Sequence, residues 1–247
     1  AGQWNDKEGI VLGHLSANES CRELQSANDN RLKFAKSLCS KCNSDRSQPA
    51  DIAFDLFAKY LIENTDRFLE TGYISLTELG ADQSDIHRYF AKMFGCAIAR
   101  EKGWPASDTL RNLVMNRKGI GKFNIQVCVS MDIMDIFGTK GKTFGSIKPI
   151  KIFDAPGYLW MVSISHYLFY LTVDTGLAFD FPVWEIADTK ICLQGQRMMS
   201  EAEIVTLKHV HENDLLLTPE WVLHVMSRIP LEHYPRDPVP CIYHQPD

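Results

Sequence analysis

Apolar residues follow two different patterns in the two halves of this 247-residue chain, and this change limits the folds it can adopt. From Pro49 to about residue 120 they recur at helical spacing, as in Ile52, Leu56 and Tyr60. Beyond Gly121 they form β-branched and aromatic runs bounded by Gly, Pro or Asp. The sequence therefore predicts an α+β fold, a helical N-terminal half followed by a strand-rich C-terminal half with one or two additional helices.

Composition divides the chain into three segments. Residues 1–48 are polar and are predicted to be only partly ordered, and residues 49–120 form a helical subdomain. Residues 121–247 form a mixed strand and helix subdomain with an extended, Pro-containing C-terminus. No repeat and no low-complexity tract appears, which sets aside solenoid and propeller folds.

Local signals place the elements within these segments. A helix starts at Pro49, the capping box Ser75-Leu76-Thr77-Glu78 predicts the start of a second, and Ser107 caps a third that ends near Gly119. Strands are predicted over 124–131, 147–153, 158–165 and 168–173, and late helices over 200–207 and 218–228. The uncharged run from Tyr158 to Val173 is too short to cross a bilayer comfortably, so no membrane span is predicted.

Charge is distributed unevenly along the chain. The formal net charge is -5, which argues against a generally basic nucleic-acid coat, and the sequence does not indicate a compartment. Residues 111–151 nevertheless contain eight Lys and Arg and two Asp, a net charge of +6. Residues 174–247 contain five Lys and Arg and twelve Asp and Glu, a net charge of -7. The middle of the chain is basic and its C-terminal part is acidic.

The basic segment has two interpretations. Lys140, Lys142, Lys148 and Lys151 can solvate the loops between strands, or they can converge on an acidic partner, with Phe144 available to stack on a base. The second interpretation predicts a non-enzymatic interaction protein. Its partner would be an acidic protein surface, a nucleic acid, or its own acidic tail in an oligomer.

The triplet Asp174-Thr175-Gly176 follows an apolar run and suggests an alternative to the interaction protein. The segment from Tyr158 to Phe179, a strand, a turn at His166-Tyr167 and a second strand ending in the triplet, resembles the corresponding hairpin of retroviral-type aspartic peptidases. The resemblance implies a homodimer, because only one such triplet occurs, with Asp174 catalytic and Thr175 bracing the lobes. An ordinary turn leaving a strand explains the same residues.

Other motifs are incomplete. Cys39 and Cys42, with Cys21 and His14, could supply the four ligands of a structural zinc site, but their spacing is irregular; free thiols or a disulfide are the alternatives, and the seven cysteines are interpreted as mostly free thiols. Gly141-Lys142-Thr143 lacks the first glycine of a phosphate-binding loop, and His209 and His211 have no assignable third ligand. The sequence thus predicts no metal site and no cofactor, and it favours a binding role over catalysis.

Overall fold

The computed structural model describes residues 10–12, 22–24, 42–101, 104–105, 107–116, 121–138, 144–146, 149–152, 157–177, 179–202, 204–205 and 208. The described helices, after a π-helical turn at Cys42–Arg46, are α1 (Gln48–Glu63), α2 (Thr65–Thr71), α3 (Gln83–Ala99), α4 (Asp108–Val114) and α5 (Met131–Phe137). The strands are β1 (Ile10–Leu12), β2 (Arg22–Leu24), β3 (Tyr73–Ser75), β4 (Phe123–Ser130), β5 (Phe144–Ser146), β6 (Ile150–Lys151), β7 (Tyr158–Ile164), β8 (Tyr167–Val173), β9 (Lys190–Cys192) and β10 (Gly195–Gln196).

Six of these strands form the central sheet. Its order is β10-β4-β8-β7-β5, and β6 also pairs with β7. All pairs are antiparallel except β10 with β4; β7 and β8 form a hairpin, whereas β4 pairs with β8 although α5 and β5–β7 lie between them in the chain. Outside the central sheet, β1 pairs with β2 and β3 pairs with β9. The predicted α+β class is confirmed.

Both faces of this sheet are covered, which explains why β7 and β8 are mostly apolar. Every residue of the two strands is buried, and alternate residues belong to two hydrophobic clusters. On the first face, which we call the helical face, α1 and α3 pack against the sheet, with Phe57 and Phe90 both in ring contact with Phe169. This cluster contains residues from both sides of residue 120.

The second face carries α5 and the chain after Phe179. Its cluster includes Ile133, Leu168, Tyr170 and Met199. Polar side chains of this face are hydrogen-bonded. Gln196 Oε1 of β10 accepts from the Tyr170 hydroxyl of β8 at 2.6 Å, and Gln126 of β4 bonds the backbone of the covering segment at Phe179.

Three local predictions differ from the structure. Ser75 ends β3, and α3 is capped instead by Asp82, whose carboxylate accepts from Ser84 N at 2.8 Å. The β7–β8 turn is Ser165-His166, one residue earlier than predicted. The predicted strand 124–131 becomes β4 followed directly by α5, because the Ser130 hydroxyl caps the helix by accepting from Ile133 N.

The remaining predicted elements are described only in part. The strand predicted over 147–153 is represented by β6, with β5 preceding it. Residues 201–202 and 204–205 are helical, and Ile204 N donates to Ser200 O, which agrees with the helix predicted from Ser200. The helix predicted over 218–228 and the Pro-containing C-terminus lie outside the described residues. None of the described helices has both the length and the apolar character needed to cross a membrane.

Candidate functional site

The predicted catalytic triplet lies at one end of the central sheet, where β8 ends and β4 begins. Asp174 follows β8 directly and adopts a left-handed backbone conformation with φ 53°. Its backbone N–H donates to Lys122 O at 2.9 Å, which fixes the turn against the residue before β4. We call this region the Asp174 end of the sheet.

The Asp174 carboxylate is bound by α4 of the same chain. Ser107 Oγ donates to Oδ2 at 2.8 Å, and Thr109 Oγ1 donates to Oδ1. Ser107 also caps α4, since its hydroxyl accepts from Leu110 N at 3.2 Å. Hydrogen bonds to a charged group are stronger than neutral ones, so Asp174 anchors the start of α4 to the sheet.

The rest of the triplet forms a local turn. Thr175 Oγ1 accepts from Leu177 N at 3.1 Å, while Gly176 is exposed. These contacts are those of a side-chain-stabilised turn leaving a strand. The peptidase role of Asp174, Thr175 and Gly176 stays a prediction, and it would require the Asp174 carboxylate to exchange its bonds to α4 for a water molecule.

Two glycines pack against this turn at distances that exclude a side chain. A Cβ on Gly121 would lie 1.5 Å from Thr109 Oγ1 and 2.4 Å from Asp174 Oδ1. A Cβ on Gly157 would lie 2.6 Å from Val173 O and 2.7 Å from Asp174 O. The nearest atom is Thr175 Cβ at 2.5 Å, and neither that atom nor the two backbone oxygens can rotate away.

Two of the predicted partner-binding residues, Phe144 and Lys151, lie at one edge of the sheet. Lys151 is exposed in β6, and the backbone of Phe144 begins β5. Lys140, Lys142 and Lys148 lie outside the described residues, so their convergence stays a prediction. Phe144 pairs with Ile164 and Lys151 with Tyr158, so the two described positions lie at opposite ends of β7.

The edge is not continuous. Ser146 pairs with Val162 at the end of β5, and pairing with β7 resumes at Ile150, opposite Leu159. Short edge strands and prolines are common protections of an edge against pairing with other strands. Pro149, directly before β6, is buried.

Sequence reasoning did not assign a role to an aromatic pair at the Asp174 end. Trp104 stacks on Tyr158 with ring centroids 5.3 Å apart, and the Tyr158 hydroxyl donates to Pro105 O at 3.1 Å. Burial, and then the nearby Asp174, raise the pKa of Tyr158. In the sequence, Gly103-Trp104-Pro105 indicated only a helix stop, because stacking on a residue 54 positions later has no local signal.

Two histidines and one carboxyl group of the described part have strongly shifted pKa values. Burial lowers the pKa of His87, which packs edge-on against Trp184, to about 4, although Asp188 acts in the opposite direction. Burial likewise lowers the pKa of His166 to about 4, opposed by Asp66. Both imidazoles are therefore neutral at pH 7.

Asp132 is the shifted carboxyl group. Burial raises its pKa to about 6, although Met198 N and Met199 N donate to its Oδ2 and Arg197 lies 3.6 Å from Oδ1. Arg197 also pairs with Asp135 at 2.6 Å. This arrangement secures the segment after β10 to α5, and we assign it a structural role.

The remaining candidate ligands do not form a site within the described residues, where no group of three His, Cys, Asp or Glu side chains could hold a metal. Cys21, Cys39, His14, His209 and His211 lie outside that part of the chain, as does the Cys42 side chain. Cys128 and Cys192 are thiols and not disulfide partners.

Comparison of the chain with protein-family models, curated proteins and solved structures finds no match. Inference about its function therefore depends on its own residues and geometry.

We predict that Gly157→Ala destabilises the protein, because its Cβ would overlap backbone oxygens of the Asp174 turn. Overpacking of this kind costs about 1–3 kcal/mol in the free energy of unfolding, measurable by urea titration. The matched control is Gly95→Ala in α3, where no atom lies within 4 Å of the new Cβ. There the alanine should raise stability by up to about 1 kcal/mol. Equal stability of Gly157→Ala and the wild type would contradict this geometry.

We predict that stability falls as the pH drops from 6.5 towards 4. The two histidines have folded pKa values of about 4 against 6.5 when exposed, so the unfolded chain binds their protons first. Asp132 acts in the opposite sense, because its raised pKa favours protonation of the folded state below about 6. The combined effect of the two histidines on the free energy of unfolding exceeds the opposite effect of Asp132. Between pH 7 and pH 5 the free energy of unfolding therefore falls by on the order of 2 kcal/mol.

Histidine NMR separates these contributions. The ring resonances of His87 and His166 should stay unchanged between pH 7.5 and pH 5.5, while exposed histidines, whose pKa is about 6.5, would shift. Titration of either buried ring near pH 6.5 would show that it is accessible to water in the folded protein.

Proposed function

We propose that this chain is a non-enzymatic interaction protein that uses its basic central segment to contact an acidic partner. The observation that carries the proposal is the position of this segment: β5 and β6 form an edge of the central sheet, and Lys151 is exposed on that edge. Edge strands present backbone and side chains to solvent, so Lys151 stands where an acidic partner could reach it.

Charge complementarity supports an acidic partner. Lys122 and Lys151 are both exposed, and neither forms an ion pair with another described residue. Acidic surfaces include protein, nucleic acid and the chain's own residues 174–247, which carry a net -7 and could dock on the basic segment of another copy in an oligomer.

Interrupted pairing of this edge favours contact through side chains. β5 and β6 are short and their pairing with β7 is interrupted between Ser146 and Ile150, and short edge strands are poor templates for an added strand. The exposed Lys151 is the described cationic residue of these two strands.

Charge reversal tests this role. Changing Lys140, Lys142, Lys148 and Lys151 together to Glu should weaken binding of a fluorescent poly-glutamate peptide by at least about tenfold, because attraction becomes repulsion. Fluorescence anisotropy measures the affinity, and sedimentation velocity reports any self-association. The control reverses Lys7, Lys59, Lys190 and Lys208, which changes the net charge equally but lies outside residues 111–151. If the two sets of charge reversals weakened poly-glutamate binding equally, the basic segment would not be the binding surface.

A homodimeric aspartic peptidase is the competing proposal, and the β7–β8 hairpin that ends in Asp174 is the observation in its favour. Against it stand the two hydrogen bonds that bind this carboxylate to α4. If the role is structural, Asp174→Ala should lower the free energy of unfolding by about 2–4 kcal/mol, because two hydrogen bonds to a charged group are lost.

The control for that variant is Asp180→Ala. Asp180 lies two residues beyond Ala178, and its carboxylate is exposed. It should change stability by less than about 0.5 kcal/mol. Casein digestion at pH 4 to 5 then separates the two functions. Pepstatin-sensitive cleavage by the wild type that Asp174→Ala abolishes would establish the peptidase and overturn the non-enzymatic proposal.

A further inference from the structure

Residues 179–188 pass around the edge of β4 and connect the two faces of the central sheet; we call this segment the strap. At its start, Phe179 packs against the cluster of the second face, and further on Trp184 belongs to the cluster of the helical face. Between them, Val183 forms a single bridge with β4, and Trp184 N donates to Ile125 O at 2.7 Å. The strap therefore covers the β4 edge without forming a regular strand.

Trp184 is the side chain that fixes the strap to the helical face. It is 1% exposed, whereas every other strap residue is at least partly exposed. Its ring contacts Phe57 of α1 and His87 of α3 at centroid distances of 5.2 and 4.7 Å. Gln83 Oε1 accepts from Trp184 Nε1 at 2.9 Å, and Gln83 Nε2 donates to Asp188 O at 2.8 Å. The attachment of the strap thus depends on the first two turns of α3.

His87 is the titratable group at this attachment. Its ring is buried, and Nε2 has no hydrogen-bond partner among the described residues. The strap places one acidic group, Asp188, near the ring. On α3 itself, Asp85 and Arg88 pair with each other. The α3 residues one turn before and after His87 are uncharged: Gln83, Ser84, Phe90 and Ala91.

Protonation of His87 opposes attachment of the strap. An imidazolium has two N–H donors, and a buried charged donor without an acceptor or water is costly. Burial lowers the pKa of His87 to about 4, so it outweighs the attraction of the nearby Asp188. With the strap released, water reaches the ring and its pKa returns towards 6.5. The released state therefore binds the proton more tightly, and acid favours release.

We propose that the strap is an acid-sensitive cover, released from the helical face when His87 is protonated, which uncovers the edge of β4 at Ile125. This inference goes beyond the proposed function and does not depend on the basic segment. Release is local, because the strap is attached by one buried side chain and a few hydrogen bonds, while β7 and β8 are buried on both faces.

Amide hydrogen exchange followed by NMR tests the release. The protection factor of Trp184 N–H, which bonds to Ile125 O, should fall about 25-fold between pH 7.5 and pH 5, as the two pKa values require. At both pH values it should stay below the protection factors of the β8 amides, which exchange only through wider unfolding. His87→Gln cannot be protonated in this range and should abolish the fall. The matched control is His166→Gln, which removes the other buried histidine and should retain it.

Gln83→Ala provides a second test if His87→Gln does not fold. It removes both hydrogen bonds to the strap but keeps His87, so the protection factor of Trp184 N–H should decrease on the order of tenfold at both pH values, with the same pH dependence. Equal protection of Trp184 N–H and the β8 amides would show that the strap opens only when the whole protein unfolds. That result, or an acid response that His87→Gln leaves intact, would overturn the inference and leave the proposed function in place.

Discussion

Burial of β7 and β8 on both faces is the constraint on which the rest of this structure depends. A strand with one wet face could alternate polar and apolar residues, but these two strands are buried throughout. On the helical face, Phe169 needs α1 and α3, which supply Phe57 and Phe90 at ring-centroid distances of 5.9 and 5.0 Å. The helical half is therefore the cover that the strand-rich half requires, and each half leaves an apolar surface open without the other.

The second face differs from the helical face because β4 and β8 also bury polar side chains there. A buried polar group is costly unless it is hydrogen-bonded. Gln126 bonds the backbone at Phe179 and Phe181, and Gln196 accepts from Tyr170 and Cys128. These bonds select one path for the chain after β8, which an apolar face would not do. The polar residues of this face are therefore hydrogen-bonded despite their burial, and the same bonds determine where the chain after β8 lies.

At the Asp174 end, one carboxylate connects elements that are distant in the sequence. Asp174 joins the end of β8 to the start of α4 through Ser107 and Thr109, while its backbone binds Lys122 before β4. The close approach of Gly121 and Gly157 shows how tightly these segments meet. The same junction positions the Trp104 and Tyr158 rings. The triplet that the sequence associates with catalysis and the stacked Trp104–Tyr158 pair therefore share one junction of the fold.

The sequence by itself determined the fold class, the main helices and the β7–β8 hairpin. Helical periodicity and uninterrupted apolar runs depend on which faces are buried, and this information is local. It failed where two local signals competed. Ser75 has a good capping pattern, but pairing of β3 with β9 takes that residue into a strand and leaves Asp82 to cap α3. Similarly, Ser130 ends β4 and starts α5 within an apolar run that shows no break.

Only the tertiary structure decided which residues meet at a site. The basic segment and Asp174 were visible as sequence features, but their surroundings were not. Lys151 reaches Tyr158 through strand register, Trp104 reaches it by stacking, and Asp174 finds its partners 65 and 67 residues earlier in the chain. Such contacts depend on how strands order themselves in a sheet and how helices cover it. Local periodicity records which face of an element is buried, but it does not record what that face is buried against.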